Sequence, residues 1–533
     1  MTHSCYAIRQ FPHHLLRTWR IVVITLLLCG GTASSSRAEQ TVDHPFLGVT
    51  HITRTETSPR TIKMHIVEID LTIPGIRFRL SPSGGTLEAV RQTTLAYLNA
   101  QQAQLALNSH FFLPFPSADL NAMLIGLAAS DGNVYSAFEA PVQSYALVTN
   151  APGINIDPAN QASVVHRNVA FNDGTHVIEP VVLWNALSGS GQIVTNGLKT
   201  IPTYVDAAHP DGVLTPGGPA NYSNTNSWYN LINARTAIGL SQDNRTLVLF
   251  TVDRAGGSLG MSVGEVADVL IDDYGVYNAL NLDGGGSTTL AMENPLTHTR
   301  SLVNVSADNP AGRMVASSLA VFADADTVPP STTASVSPSP NVNGWNNRGV
   351  DVTLTAVDNP GGAVLGIQVA SAGAHAEAST LVSGNTTSLT ISEEGTTTVT
   401  YFATDFVANV EQVRSLIVHV DETRPVIDGM PSGTCVLWPP NGSWRRVATV
   451  TASDALAGVD PSSFQVSIAS SEGPDEDTAV RPDGQGRLEV LLRARRAGSG
   501  GDRTYVVTAT VEDRAGNATR VTSTCVVPHD ERK

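Results

Sequence analysis

The sequence Asn281–Ser287 contains the strongest chemical signal in the chain, an aspartate followed by three glycines and a serine. Glycines take backbone angles that other residues avoid, and such a loop aims several N–H groups into one concavity that suits phosphate or another oxyanion. Ser287 adds a hydroxyl donor and Asp283 adds a carboxylate beside the anion. The Gly-Lys-Thr/Ser ending of a Walker loop is missing. We predict an anion site here, with a plain tight turn as the alternative.

Short elements with mixed periodicity surround this loop. Ala279–Leu282 and Val248–Val252 have the composition of strands. Ser262 and Glu265 have capping-box spacing, which predicts a helix that Gly275 closes. Thr86 is predicted to cap a second helix that runs through roughly residue 102. This mixture predicts an α+β domain over residues 39–325, large enough for a substantial core.

The stretch Tyr277–Leu290 resembles the signature of the phosphodiester glycosidase family. The resemblance covers roughly residues 60–322, and further segments support it: Leu107–Phe112, Asn185–Gly197, Arg235–Gly239, Val252–Arg254 and Leu302–Asn304. It implies hydrolysis of a sugar-1-phosphodiester at the anomeric carbon, through an oxocarbenium-like transition state and with a phosphate monoester as the leaving group.

The resemblance also implies roles for individual residues. Asp283 or Asp253 would activate water or attack directly. Arg235 would clamp the phosphate, because a guanidinium fork matches two phosphate oxygens; a surface ion pair is its alternative, as a turn cap is for Asp253. The predicted substrate-binding residues are Arg235, Asn108, His110, Asn281, Gly284, Gly285, Gly286 and Ser287, with no metal ligand among them and no cofactor assigned.

Two departures from the family pattern concern the sugar pocket. Ser109 and His110 stand where glycines are usual, and the glycine after Asp253 is absent, which leaves Arg254 adjacent to it. His110 is either a new substrate contact or acid, or a plain loop histidine. Two alternatives to the glycosidase therefore stay open: a catalytically inactive glycan-binding or adhesion protein, and a phosphodiesterase that cleaves P–O bonds.

Composition excludes other classes of protein. Of 533 residues, 41% are hydrophobic and 15% charged, a balance that excludes wholesale disorder. The net charge of −16 and the 6% aromatic content argue against nucleic acid as a partner. The expected partner is instead a sugar-phosphate or polysaccharide substrate.

Residues 1–38 have the pattern of a signal peptide. They carry four arginines and no acid, and the apolar run Ile21–Cys29 is far shorter than the ~20 residues that span a bilayer. Ser36–Ala38 fits a cleavage site, which predicts Glu39 as the first mature residue. We predict a secreted, cell-surface or periplasmic protein without an integral membrane span; an uncleaved anchor or a buried strand is the alternative.

Residues 326–340 are predicted to be a linker, because they are rich in Pro, Ser and Thr. Beyond it a β pattern recurs at 341–421 and 422–533, units whose size suits β-sandwiches. Cys435 and Cys525 are predicted to form a disulfide in the second unit.

The repeats resemble bacterial Ig-like modules of surface proteins, so we predict two all-β Ig-like sandwich domains that position the enzyme or bind cell-surface glycan. The aspartates that end their strands are predicted to be turn formers, with calcium binding as the alternative. Tryptophans 345, 438 and 444 are expected in the core, with sugar stacking as the alternative.

Overall fold

The computed structural model describes residues 39–138, 142–473, 475–498 and 501–530. The predicted signal peptide 1–38 lies outside these residues. Within the described chain, no helix has the length and apolar character needed to cross a membrane.

Residues 39–322 combine short and long strands with two α-helices. The helices are α1 (Thr94–Gln101) and α2 (Val263–Asp272), and 3₁₀ turns occur at Trp228–Asn230 and Gly285–Ser287. The strands are β1 (Glu39–Phe46), β2 (Val49–Glu56), β3 (Ile62–Asp70), β4 (Arg77–Leu80), β5 (Ala89–Val90), β6 (Gln92–Thr93), β7 (Leu105–Asn108), β8 (Phe112–Leu113), β9 (Asn121–Leu124), β10 (Ala128–Ser130), β11 (Asn133–Ser136), β12 (Gly153–Ile156), β13 (Ala162–Val165), β14 (Asn185–Ser188), β15 (Gly191–Thr195), β16 (Leu198–Lys199), β17 (Arg235–Ser241), β18 (Thr246–Val252), β19 (Val276–Asn281), β20 (Leu290–Glu293), β21 (Arg300–Leu302), β22 (Met314–Val315) and β23 (Ser318–Phe322).

An eight-stranded antiparallel sheet, in the order β1-β2-β3-β18-β17-β19-β15-β16, is the centre of this region. Alternate side chains of β18 enter two different cores, as the two-residue period of a strand requires. Val248 and Phe250 pack with α2, whereas Leu247 and Leu249 pack with two five-stranded sheets. These smaller sheets have the orders β21-β20-β7-β23-β4 and β11-β10-β14-β12-β13.

The structure confirms helix α2, which the capping-box spacing predicts. The Ser262 hydroxyl accepts from Glu265 N, and the Glu265 carboxylate accepts from Ser262 N, which completes the capping box. Gly275 has a φ of +61° and donates its N–H to the Ile271 carbonyl. Glycine takes this left-handed conformation without steric cost, so it ends the helix.

Helix α1 begins later than predicted. Thr93, and not Thr86, is its N-cap, and its hydroxyl accepts from Ala96 N at 3.1 Å. The preceding residues Ala89 and Val90 are extended because they pair with strand β9. Apolar spacing alone does not distinguish these paired residues from a first helical turn.

The C-terminal region is mostly β. In the described residues it contains one 3₁₀ turn, Asp475–Asp477, and the strands β24 (Ser331–Ser337), β25 (Val350–Val357), β26 (Val364–Gly373), β27 (Glu377–Ser383), β28 (Thr386–Ile391), β29 (Gly395–Asp405), β30 (Arg414–Val420), β31 (Val426–Asp428), β32 (Trp444–Ser453), β33 (Gln465–Ser470), β34 (Thr478–Pro482), β35 (Leu488–Arg493), β36 (Arg503–Glu512) and β37 (Ala518–Val527).

These strands form two pairs of sheets, each pair with its own apolar cluster. The first pair has the orders β24-β25-β28 and β27-β26-β29-β30, and the second has β31-β32-β35-β34 and β33-β36-β37. Strand β24 lies inside the predicted linker 326–340, because Thr332, Ala334 and Val336 alternate inward. Trp438 and Trp444 are 36% and 38% exposed, so the expected core position is wrong for both.

The disulfide between Cys435 and Cys525 is confirmed, with 4.6 Å between the two Cα atoms and 90 residues of separation. Its replacement by Cys525→Ser should lower the free energy of unfolding of this last sheet pair by ~2–4 kcal/mol, because the unfolded chain gains entropy. Turnover should stay unchanged, since the bond lies outside the region of the glycine-rich loop. Denaturant unfolding and a turnover assay would measure both quantities; a large loss of turnover would contradict this expectation.

Candidate active site

The glycine-rich loop follows β19, which lies between β17 and β15 inside the large sheet. Asp283 N donates to the Ser109 carbonyl at 2.9 Å, and Gly285 N donates to the Ala234 carbonyl at 2.8 Å. The amides of Ser287 and Thr288 donate to carbonyls of the same loop. These four amides are therefore used by the protein backbone, and the predicted concavity of free N–H groups is not built from them.

Asn108 holds the loop in place. It is fully buried, its Nδ2 donates to the Asp283 carbonyl at 2.7 Å, and its Oδ1 accepts from Thr289 N at 2.9 Å. Asn281 is also fully buried and donates to Ser190 Oγ at 2.8 Å. Both predicted substrate-binding asparagines thus contact protein groups, and neither lines the pocket described next.

Asp283 faces a pocket of about 180 Å³ whose wall is partly apolar and partly polar. The lining residues are Phe111, Phe112, Phe115, Ile125, Gln143, Asp283 and Arg313. Asp283 is only 8% exposed, so its carboxyl group meets this pocket more than open solvent. The pocket therefore combines one carboxyl group, one cation and apolar rings.

Burial raises the pKa of Asp283 to about 7, although the Ser287 hydroxyl, the Arg313 charge and the Gly284 amide each favour the ionised form. Removal of a carboxylate from water penalises its charge, and here this effect exceeds the hydrogen bonds. A carboxyl group with this pKa exchanges a proton readily near neutral pH, which suits a general acid or base.

Arg313 is the cation of the pocket. Its Nη1 donates to Ser287 Oγ at 3.1 Å, its Nη2 pairs with Asp308, and its guanidinium lies 4.8 Å from the centre of the Phe115 ring. A Cβ atom on Gly286 would collide with both Asp308 Oδ2 and Arg313 Nη2, so only glycine leaves room for this ion pair. The sequence analysis did not identify Arg313. This residue belongs to no motif, and its spacing from the glycine-rich loop matches no known pattern.

Arg235 does not occupy the predicted position. It is 2% exposed, its Nη2 donates to the Leu231 carbonyl at 2.5 Å, and its Nε donates to the Met261 carbonyl at 3.2 Å. Its guanidinium also lies 4.8 Å from the centre of the Trp228 ring. These bonds tie Arg235 to the segments that precede β17 and α2, and they occupy the guanidinium group that was expected to clamp phosphate.

His110 is a buried structural residue and not a substrate contact. Its Nδ1 lies 2.8 Å from Ser317 Oγ, and its Nε2 lies 2.9 Å from the Leu127 carbonyl oxygen. Burial lowers its pKa to about 4, which keeps the ring neutral. Ser109 Oγ lies 2.7 Å from Ser317 Oγ, so Ser109 and His110 form one buried polar cluster with Ser317.

Asp253 is also turned to the protein. Its Oδ1 accepts from Asn304 Nδ2 at 3.0 Å, and its Oδ2 accepts from Val305 N at 3.1 Å. Asn304 in turn accepts from Leu290 N at 2.8 Å. Asp253 therefore tethers the distant chain segment that leads to Arg313, which differs from the turn cap given as its alternative, and it is not among the residues that line the pocket.

Comparison with known proteins gives these residues a family context. Residues 103–322 match the family model described as phosphodiester glycosidase. Residues 103–322 of this chain therefore resemble a phosphodiester glycosidase domain. The resemblance seen in the sequence is thereby confirmed, and the match includes Asp283, Arg313 and all the phenylalanines of the pocket.

Individual relatives of the phosphodiester glycosidase domain match over shorter stretches. The human N-acetylglucosamine-1-phosphodiester α-N-acetylglucosaminidase is 43% identical over 67 residues, and the bovine protein of the same name is 41% identical over 71 residues. Each match covers 13% of this chain, and the chain spans only 13% of each relative's length.

A solved structure, the zebrafish catalytic domain of that enzyme auto-inhibited by its pro-peptide, is 19% identical, with a TM-score of 0.36. It covers 54% of this chain, which covers 88% of it.

Proposed function

We propose that this protein is an exported hydrolase that cleaves the glycosidic bond of a sugar-1-phosphodiester in a surface or extracellular polysaccharide. The observation that carries the proposal is that Asp283, with a pKa of about 7, lines the same pocket as the cation Arg313. The match to the phosphodiester glycosidase family supports the reaction type.

In the proposed reaction Asp283 is the general base. The carboxylate takes a proton from water as the water oxygen bonds to the anomeric carbon. The bond from that carbon to the phosphate oxygen breaks, and its electron pair leaves with the phosphate monoester. One carboxylate suffices for this chemistry, because a phosphate monoester is a good leaving group without a general acid.

Arg313 is proposed to hold the departing phosphate, since it supplies the positive charge of the pocket. Ser287 is fully buried and accepts a hydrogen bond from Arg313 at 3.1 Å, so it is proposed to position the guanidinium group. The Phe111, Phe112 and Phe115 rings line the same pocket and are proposed to reduce its contact with water. Electrostatic stabilisation is stronger in such a low-dielectric setting than in water.

The proposed export accounts for the disulfide, since such bonds persist in oxidising compartments. The two C-terminal sheet pairs are proposed to be Ig-like sandwich domains that hold the enzyme at its site of action. Their contact with cell-surface glycan stays a prediction.

A substrate panel tests the proposed function. Purified protein spanning residues 39–533 would be assayed on sugar-1-phosphodiesters that differ in sugar and aglycone, and on two controls, a simple aryl glycoside and a sugar-free phosphodiester. We expect turnover only with compounds that contain both the anomeric carbon and the phosphodiester. Turnover of the sugar-free phosphodiester, or of no compound, would contradict the proposal.

The pKa of Asp283 predicts a pH profile. A general base acts when ionised, so kcat/KM should fall about tenfold per pH unit below about 7 and level off above it. The contribution of Asp283 to folding stability has the opposite trend, because its carboxyl group binds a proton more tightly in the folded state than in the unfolded state. This contribution is complete below a pH of ~3.9, the usual pKa of aspartate, and it is lost as the pH rises through about 7. A pH–rate profile and the difference in Tm between wild type and Asp283→Asn would measure both; a flat profile between pH 5 and about 8 would contradict the assignment.

A further inference from the structure

Three carboxylates meet where the first C-terminal sheet pair adjoins the preceding region. Asp326 lies between β23 and β24, Asp358 follows β25, and Asp405 ends β29. One oxygen of each lies within 4.8 Å of the others. We call these residues the junction cluster.

Two oxygen atoms at the junction cluster have no partner. Asn359 Oδ1 and Asp358 Oδ2 are both shielded from solvent, and neither accepts a hydrogen bond. A Cβ atom on Gly362 would lie 2.5 Å from both Asn359 Oδ1 and Asp326 Oδ2. The unpartnered amide oxygen and the carboxylates therefore face the same small space, which the missing side chain of Gly362 leaves open.

The charges around this space are all of one sign. The groups that act electrostatically on Asp358 are Asp326 and Asp405, which are both carboxylates. Within the described residues, no lysine, arginine or histidine forms an ion pair with the three carboxylates. Buried oxygens without donors and a concentration of negative charge are both relieved by a bound cation.

We propose that Asp326, Asp358, Asn359 and Asp405 bind a calcium ion. Calcium takes six to eight oxygen ligands in flexible geometry, and carboxylate and amide oxygens are among its usual ligands. The ion would complete its shell with backbone carbonyl groups or water. The ligand class is a hard divalent cation, and calcium suits this set of oxygens better than magnesium, which demands strict octahedral geometry.

The ion would fasten the first sheet pair to the glycosidase region. Asn409 Nδ2 already joins the Asp326 carbonyl, at 3.1 Å, to Asp405 Oδ2, at 2.7 Å. Gly48 N, in the turn between β1 and β2, donates to the Gly361 carbonyl at 2.9 Å. A cation bound to Asp326 and Asp358 would add a further contact between the same two regions.

The second sheet pair contains a natural comparison. Asp421, Asp454 and Asp513 also approach within 4.8 Å, and Asn517 joins the Asp421 carbonyl to Asp513 Oδ2 as Asn409 does at the first junction. Both Asp421 carboxylate oxygens accept backbone N–H groups, from Thr423 and Ala457. None of these three aspartates has a solvent-shielded oxygen that lacks a hydrogen-bond partner, so the proposal is confined to the junction cluster.

Calorimetric titration with Ca²⁺ tests the proposal on the chelator-treated protein of residues 39–533. We expect wild type to bind with a Kd no weaker than ~1 mM, the limit for extracellular calcium modules. Asp358→Asn should weaken this binding at least tenfold, and the matched variant Asp454→Asn should retain it. Saturating Ca²⁺ should raise the Tm of wild type and Asp454→Asn but not of Asp358→Asn.

Two glycine variants test whether calcium binding is lost when the space for the ion is filled while every carboxylate is kept. Gly362→Ala keeps every carboxylate but fills the space between the oxygens, so it should abolish the same binding event. Gly433→Ala meets nothing within 4 Å and should bind as wild type does. The proposal is overturned if wild type binds no calcium at ~1 mM, if both Asp358→Asn and Gly362→Ala bind normally, or if only Asp454→Asn loses the site.

Discussion

Asp283→Asn should lower kcat by at least ~10²-fold, within the range that a positioned acid–base group supplies. Asparagine keeps the size of the side chain but cannot accept the proton from water. The fold should survive, and Tm near neutral pH should be unchanged or higher, because a buried charge with a pKa of about 7 is removed. Steady-state kinetics and thermal melting would measure the two effects.

Two further aspartates serve as comparisons. Asp243→Asn alters an exposed turn and should leave turnover unchanged. Asp253→Asn should act mainly through the tether to Asn304 and Val305, with a lower Tm and a modest loss of kcat. A large loss of kcat in Asp253→Asn, with Asp283→Asn nearly silent, would mean that the two roles are reversed.

Arg313→Gln should lower kcat/KM by ~10²-fold, the effect of removing one donor that stabilises transition-state charge. Its loss also frees Asp308 from its ion pair and places an uncompensated negative charge near the phosphate position. Kinetics on the best compound of the panel would measure the effect.

The matched arginine variant is Arg235→Lys. Lysine cannot reproduce the donation to the Leu231 and Met261 carbonyls, so Tm should fall while kcat/KM changes less than in Arg313→Gln. If Arg235→Lys instead shows the larger loss of kcat/KM with an unchanged Tm, Arg235 and not Arg313 engages the phosphate.

Local signals in the sequence predicted the parts of the site that depend on neighbouring residues. The strand β19, the sharp turn after Asp283 and the capping box at Ser262 are each encoded within a few residues. The disulfide between Cys435 and Cys525 could be predicted because these are the only two cysteines after the predicted signal peptide. The mostly-β C-terminal region followed from its alternating pattern and its repeats.

The direction of long side chains could not be predicted in this way. Arg235 begins β17, yet its guanidinium turns back to carbonyls 4 and 26 residues away in the chain. Arg313 contacts Ser287 of the loop across 26 residues, and Asn304, which precedes Arg313, is tied to Asp253 across 51 residues. Such contacts depend on the packed sheets, and no spacing in the sequence encodes them.

Hydrolysis of a sugar-1-phosphodiester in ¹⁸O-labelled water tests the central claim most directly. The phosphate monoester is the product to analyse by mass spectrometry, because a free sugar can exchange its anomeric oxygen with water. Attack at the anomeric carbon predicts a phosphate product without label, with the label in freshly released sugar. Label in the phosphate would show P–O cleavage and would contradict the proposed glycosidase.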